Sequence, residues 1–409
     1  MKICVFTNHF FPEDFKVNDI VFEFAKKGYE ITVITAIPDY PQGSYYDGYS
    51  LFRRRKEIVN GVKVIRLPII PRGKGKPVNM VLNYISYFIA SLLFTFFHAR
   101  TNKYDAVFVH LVTPFFISLP AVYLKRRQGI PLILWVLDLW PESIPTYLSK
   151  KILISNQTKL VQHVYNNCDT ILISSNGMRK SICEKGDYDF KIIYFPNWVE
   201  EIHESGEIAQ YQGLQPFVDR TVDDFIILFA GNIGVGQNLD CIIDIAADLK
   251  NIEAIKFVFL GEGRQKAYLK NKATELGLDK TVFFLGRFPL ESMPVFMRMA
   301  DVLFVSLKGR AHLNLIVPAK IQFYMAQGKP ILAMLNGDGS ELITAAQCGL
   351  AVPVNDSSAL KNAINELCSM PKQELNRLGM NGKNYYEQHF KKEQRMEQLD
   401  ALFRNLVVS

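Results

Sequence analysis

FIILFAGNIGVGQNLDCII, residues 225–243, runs from an unbroken apolar strand candidate through three glycines into the start of an amphipathic helix. A strand buried on both faces reads as a continuous apolar run, and parallel sheets covered by helices are where such strands occur. Gly231, Gly234 and Gly236 stand at the strand-to-helix turn, where backbone amides and a helix N-terminus can bind phosphate. Their spacing is not that of the dinucleotide fingerprint, and no Gly-Lys-Ser/Thr follows as in a P-loop. FVFLGEGRQ (257–265) repeats the arrangement on the next strand, with Gly261, Gly263 and Arg264. Two such turns on neighbouring strands point to a bound nucleotide diphosphate at the carboxyl edge of one sheet. Glycines that merely permit tight turns are the alternative.

Outward from this stretch the same alternation continues. Strand candidates follow at 281–286, 301–306 and 330–335, each trailed by a helix-length segment. In the first half they fall at 2–7, 29–35, 62–68, 105–111, 131–137, 169–174 and 191–195, with a helix expected over 17–27 and Gly28 as its left-handed terminator. The chain is α/β, with two Rossmann-like halves in tandem. Residues 196–223 are polar, acidic and aperiodic, as an interdomain connection would be. We therefore expect domains over 1–200 and 215–385, and a closing helix over about 386–409 that packs back on the first.

Composition sets the outer bounds. The chain has 409 residues, 49% of them hydrophobic and 21% charged, which excludes both a single small module and global disorder. Forty-seven Lys and Arg against 40 Asp and Glu leave +7, which favours phosphates or an anionic bilayer but does not by itself argue for nucleic acid. No two of the six cysteines form a Cys-x-x-Cys pair, so neither a disulfide framework nor a zinc site is expected. The opening MKICVFTNHF has too short an apolar run for a secretory signal, and a cytoplasmic location is expected.

Residues 78–97 depart from the pattern: they carry no charge and only a narrow polar stripe of Asn79, Asn83, Ser86 and Ser91. Arg72, Lys74 and Lys76 precede them, and His98, Arg100 and Lys103 follow. This pattern suits a helix lying in an anionic cytoplasmic leaflet, with about residues 72–103 on the membrane. An ordinary buried helix and a membrane span are the alternatives.

Several side chains are placed where chemistry would be done. Asp138, in ILWVLDLWPES, closes a very apolar strand and projects at the mouth of the first domain, where a general base or hydroxyl-orienting group would stand; a helix N-cap is the other use of an Asp there. The first strand ends in TNHFFPEDFKVND, whose His9, Glu13 and Asn18 form a polar lip suited to hydroxyls rather than to pyrophosphate. In the second domain Pro318 starts a helix with Lys320 in its first turn, where a cation opposes the helix dipole unless an anion partners it. Lys320 is thus the leading phosphate clamp. In NGDGSELITAAQCG we expect an N-cap at Ser340, with Glu341 reaching ribose or sugar hydroxyls.

Taken in order, MKICVFTNHFFPEDFKVNDI, YEITVITAIPDYPQG, LILWVLDLWPES, FPNWV, ILFAGNIGVGQNLD, FLGEGR, VPAKIQFYMAQGKPILA and GDGSELI resemble family-four glycosyltransferases of GT-B fold, in the branch that builds O-antigen and capsule units as the acetamidosugar (fucosamine-type) transferases do. The resemblance implies two Rossmann-like domains with parallel sheets facing a cleft. It implies metal-independent transfer, retaining at the anomeric carbon, from a UDP- or GDP-sugar on the second domain to a lipid-linked, undecaprenyl-type acceptor on the first. No cofactor beyond the nucleotide sugar is implied. Asp138 and Lys320 take the catalytic positions. Gly231, Asn232, Gly234, Gln237, Arg264, Ser340 and Glu341 line the donor, and His9, Glu13, Asn18, Trp140 and Glu142 the acceptor. The family's His-Asp pair is Leu137-Asp138 here, its diphosphate-binding Arg and Lys are Asn232 and Gln237, and its paired glutamates fall near Leu315 and Phe323. A sugar-nucleotide 2-epimerase of the same architecture and a non-catalytic nucleotide-sugar-binding relative are the competing readings.

Overall fold

Eight strands form the first sheet: β1 (Lys2–Phe6), β2 (Glu30–Ala36), β3 (Lys56–Val59), β4 (Val62–Leu67), β5 (Ala106–Leu111), β6 (Leu132–Val136), β7 (Thr170–Ile173) and β8 (Ile192–Tyr194). Their spatial order is β3-β4-β2-β1-β5-β6-β7-β8, parallel throughout except for β3 against β4. Every residue of β5, β6 and β7 is buried, which is why these segments read as unbroken apolar runs. The second sheet holds β9 (Phe225–Ala230), β10 (Ile255–Leu260), β11 (Val282–Gly286), β12 (Val302–Ser306), β13 (Ile331–Met334) and β14 (Gly349–Val352), all parallel in the order β11-β10-β9-β12-β13-β14. In each sheet the strand order reverses beside the first strand, at β1/β5 and at β9/β12. Such switch points open a crevice at the carboxyl edge, where ligands of α/β sheets bind.

This computed structural model describes residues 1–143, 151–200, 219, 221 and 223–408, and it divides into two units, Met1–Phe195 with Glu393–Ser409 and Pro196–Lys392. Residues 201–218, 220 and 222 of the expected connection lie outside the described residues. Strands β3 and β14 were not foreseen. The first, KEIV, is a four-residue edge strand of alternating exposure, and the second, GLAV, opens on a glycine.

The closing helix also differs from expectation. One helix spans Lys372–His389, the chain breaks at Phe390, which is 1% exposed, and a separate helix spans Lys392–Val408. The chain thus turns at Phe390, buried in the break, rather than at 386. The last helix completes the first unit's core. Phe403 packs against Phe24 and Phe108 at ring distances of 5.6 and 6.1 Å, Gln398 donates to the Tyr194 carbonyl at 3.0 Å, and the Tyr29 hydroxyl donates to Asp400. Phe403→Ala should therefore destabilise the first unit by about 3–5 kcal/mol. Urea unfolding followed by tryptophan fluorescence checks this, since Trp135 and Trp140, two of the three tryptophans, lie in the first unit.

Two helices run back along the first sheet from its carboxyl edge: α1 (Lys16–Lys26), with Gly28 at φ +86° just after it, and α2 (Pro77–Thr101). The buried residues of α2 are Asn83, Tyr87, Ser91, Thr95 and Ala99, one per turn along a single stripe. Its apolar side chains point the other way: Val78, Val81, Leu82, Ile85, Ile89, Leu93, Phe96 and Phe97 are all exposed, Phe97 at 62%. The helix is long and apolar enough to cross a membrane, yet only 22% of its most apolar window is buried in the protein. This is inverted amphipathicity, not the pattern of a core helix. Its polar groups are used inward: the Tyr87 hydroxyl donates to the carbonyls of Thr7 (2.8 Å) and Ile34 (3.2 Å), and Asn83 Nδ2 to Asp39 Oδ2 (3.0 Å) and the Ile70 carbonyl (2.7 Å).

Candidate active site

The carboxyl edge of the second sheet is built by two glycine turns packed backbone to backbone. A Cβ on Gly261, φ +137°, would sit 1.9 Å from the Gly231 carbonyl oxygen, so no larger residue fits there. Gly231, φ +136°, is bare for a different reason: a Cβ would meet Lys320 Cε at 2.6 Å. The glycine lets the lysine lie across the turn. Lys320 occupies the first turn of the helix Ala319–Ala326, where Pro318 precedes it. Its Nζ donates to Gln237 Oε1 at 2.7 Å and lies 3.8 Å from the centre of the Phe229 ring.

The anionic partner expected for this lysine is replaced by the neutral Gln237 amide. Burial without a counter-charge pushes the Lys320 pKa down to about 7. An amine held against a phosphate-sized turn, and short of a counter-ion, is poised to accept a diphosphate. The Gln237 carbonyl is fixed in turn by the Ser306 hydroxyl. Asn232 folds over Gly234, and Gly263 backs onto Ile233, which leaves Arg264 exposed on the rim of the second turn.

The expected cap at Ser340 is corrected. The helix spans Asp338–Ala345, with Gly337 at φ +73° as its cap, and Ser340 lies within its first turn, donating from Oγ to the Gly337 carbonyl at 2.8 Å. Gly337 takes the cap because a Cβ there would lie 2.0 Å from the Asn314 carbonyl. Gly339 abuts Pro318 and Ile321, so this helix begins beside that of Lys320, with Glu341 exposed.

In the first unit, polar side chains gather beyond β1, β5 and β6, the strands flanking the switch point. Asp138 is fixed by Thr113, whose amide and hydroxyl donate to its Oδ2 at 3.0 and 2.7 Å; Trp140 Nε1 donates to that hydroxyl at 3.4 Å. Asp138 thus holds the loop through Oδ2 and is itself half-buried. His9 and Glu13 are buried at 5% and 2% rather than forming an open lip. His9 stacks on Phe15, and its Nδ1 meets Glu13 Oε2 at 2.7 Å. Glu13 Oε1 accepts from the amides of Asp39 and Tyr40, and Asn18 Nδ2 donates to the Glu13 carbonyl. Glu142 stands apart from these, held by Lys185 at 2.5 Å and by the Ser181 hydroxyl.

Sequence reasoning missed Arg72, Asp39, Tyr84 and Thr113 as members of this cluster. Arg72, taken for a headgroup contact, points inward: its Nη2 donates to His9 Nε2 at 2.7 Å, and its guanidinium lies over the rings of Tyr40 and Tyr84, each at 5.3 Å. Burial raises the pKa of Asp39, whose Oδ2 accepts from the Arg72 amide at 2.9 Å. At the other end of α2, burial and the charges of Lys63 and Lys56 push the His98 pKa down to about 4, so His98 is no basic flank at neutral pH. Among the described residues no three His, Cys, Asp or Glu side chains converge as metal ligands.

Comparison with known proteins agrees with this architecture. Over 349 residues the chain is 28% identical to WcaI of Escherichia coli (strain K12), a glycosyl transferase named for colanic acid biosynthesis, covering 80% of this chain and 82% of that one. It is 27% identical to WbjE of Pseudomonas aeruginosa, named a glycosyltransferase, over 69% and 70% of the two chains. The fold is that of Anabaena Alr3699/HepE, solved in complex with UDP, at a TM-score of 0.71 and 15% identity over 99% of this chain and 100% of that one. Sucrose-phosphate synthase from Thermosynechococcus elongatus matches at 0.75 and 16%, over 100% and 99%. Residues 16–198 match the family described as Glycosyl transferase 4-like domain, and residues 215–385 the family described as Glycosyl transferases group 1. The chain therefore belongs to the GT-B glycosyltransferases, with a 4-like domain followed by a group 1 domain.

Proposed function

We propose that this protein moves a sugar, retaining its anomeric configuration and without a metal ion, from a UDP- or GDP-sugar bound by the second unit to a lipid-linked acceptor bound by the first. It does so at the cytoplasmic face of a membrane, in the assembly of a surface polysaccharide, and an acetamidosugar is the donor sugar the resemblance favours. The observation that carries this reading is Lys320, an amine with its pKa lowered to about 7, laid across a glycine turn at a helix start. As the bond from the anomeric carbon to the donor phosphate breaks, negative charge grows on the diphosphate; Lys320 and the amides of the Gly231–Gly236 turn are placed to neutralise it. Asp138 Oδ1 accepts the hydrogen bond of the acceptor hydroxyl, orients it and draws its proton as the new bond forms.

The outward apolar face of α2 supports a lipid-linked acceptor over a 2-epimerase, which needs no membrane. The buried stripe of α2 runs its whole length against the first unit, so the helix fits a position in one leaflet rather than across the bilayer. Arg72 and His98 drop out as headgroup contacts, which leaves exposed Lys74, Lys76, Arg100 and Lys103. Ile89→Glu with Leu93→Glu should cut partition onto anionic vesicles by at least about tenfold, and Lys74→Gln with Lys76→Gln by less and in a salt-dependent way. Sedimentation with vesicles measures both. The reaction itself is tested by following a labelled sugar from the nucleotide into the lipid-extractable fraction. Label that stays on the nucleotide as an epimer would favour the 2-epimerase.

A further inference from the structure

Arg72 is a cation that the proposed chemistry has not used. Among the described residues its side chain makes one hydrogen bond, to His9, and its buried Nε has no hydrogen-bond partner, lying 3.7 Å from Asp39 Oδ1. A guanidinium carries five donors, and buried charges are normally saturated. Asp39 forms an ion pair with it through Oδ1, 3.7 Å from Nε and beyond hydrogen-bond distance, and the other carboxylate oxygens nearby are engaged elsewhere. Glu13 is satisfied by two backbone amides and His9, and Asp39 Oδ2 by the Arg72 amide and Asn83. Since a guanidinium only donates, His9 Nε2 must accept, so the ring proton sits on Nδ1 and His9 brings no positive charge. Tyr40 and Tyr84 lie over the guanidinium, and the donors along its edge are left for a planar pair of oxygens.

We propose that Arg72 binds the phosphate of the acceptor, a phosphate or diphosphate ester carried on an apolar chain. This rests on the lipid-linked reading of the acceptor and assigns its anion subsite. Position argues for it as much as chemistry does. Arg72 lies six residues before Val78, where the exposed apolar ridge of α2 begins. On the inner side Tyr84 feels the charges of both Arg72 and Asp138. The guanidinium thus neighbours the start of the apolar ridge, as the phosphate of such an acceptor neighbours its chain. The other cations of this edge are placed differently: Arg66 is buried but its Nη1 pairs with Glu57 and its Nη2 donates to the Phe11 carbonyl, and Lys74 and Lys76 are exposed.

Titration with farnesyl diphosphate below its micellar concentration, followed by tryptophan fluorescence, tests the assignment. Wild type should bind, Arg72→Gln should bind at least about tenfold more weakly, and Arg72→Lys should recover part of the loss. Farnesol should bind wild type and both variants alike. Equal binding by wild type and Arg72→Gln, no binding by wild type, or an equal loss for farnesol would each overturn the proposal, the last by showing a merely structural role. Arg72→Lys keeps the test open if Arg72→Gln fails to fold. Vesicle partition separates the two sources of phosphate: it should be unchanged in Arg72→Gln, and its loss there would assign Arg72 to the membrane surface instead. Arg72-dependent binding in a protein that transfers no sugar would fail the transferase reading alone, and transfer without such binding would fail this one alone.

Discussion

Asp138→Asn should lower turnover by roughly 10²–10⁴-fold while leaving nucleotide-sugar affinity nearly unchanged. The substitution keeps the size of the side chain, and its amide oxygen can still accept from the Thr113 amide and hydroxyl, which hold Oδ2 at 3.0 and 2.7 Å. What it removes is a carboxylate oxygen able to draw the acceptor hydroxyl's proton. Steady-state nucleotide release with acceptor varied gives kcat, and titration of the donor alone gives its affinity. A fall in donor affinity with kcat preserved would move Asp138 out of the chemical step.

Lys320→Met should weaken donor binding and slow transfer together, by roughly 10²–10³-fold in kcat/KM, because one cation is being asked to neutralise the leaving diphosphate. The same change should stabilise the donor-free protein. Lys320 has its pKa lowered from 10.5 to about 7 by burial, so between those values the unfolded chain holds more protons than the folded one. Stability then rises with pH across that window and is lost as pH falls toward 7. Methionine removes this penalty, so the gain should be largest near pH 7, a rise of at least about 3 °C in Tm, and should fade toward pH 10.5. Donor affinity should run the opposite way. Binding a diphosphate favours the charged amine, so wild-type affinity should decline above pH 7 by up to about tenfold per unit for one coupled proton, whereas the methionine variant should show no such slope. Calorimetry in buffers of different ionisation enthalpy reports the proton taken up.

What the sequence disclosed and what it withheld divide along physical lines. Twelve strands were legible because parallel strands write apolar runs, continuous where both faces are buried as in β5, β6 and β7; β3 and β14 were not, being four residues each with alternating exposure or a glycine at the start. Lys320 was legible because Pro318 marks the helix start next to it. Its neutral partner was not, since Gln237 lies 83 residues away. The polar cluster of the first unit was half legible: Asp138 and His9 follow the ends of β6 and β1 within three residues and can be read in place. Arg72 reads as one more basic residue before an apolar helix, and only tertiary packing, 63 residues apart in sequence, turns it inward onto His9. Helix α2 announced its apolar character but not its orientation. A stripe of Asn83, Tyr87, Ser91, Thr95 and Ala99 is as easily solvated as buried, and here the hydrogen bonds of Tyr87 to the ends of β1 and β2, and of Asn83 to Asp39 and the Ile70 carbonyl, decide it.

The most direct test of a membrane-surface glycosyltransferase is the release of free UDP or GDP from a panel of nucleotide sugars, measured with and without a membrane lipid extract. The account predicts release from one donor class that depends on the extract and collapses in Asp138→Asn. Donor binding with no release under any condition, or epimerised nucleotide sugar formed without the extract, would contradict it.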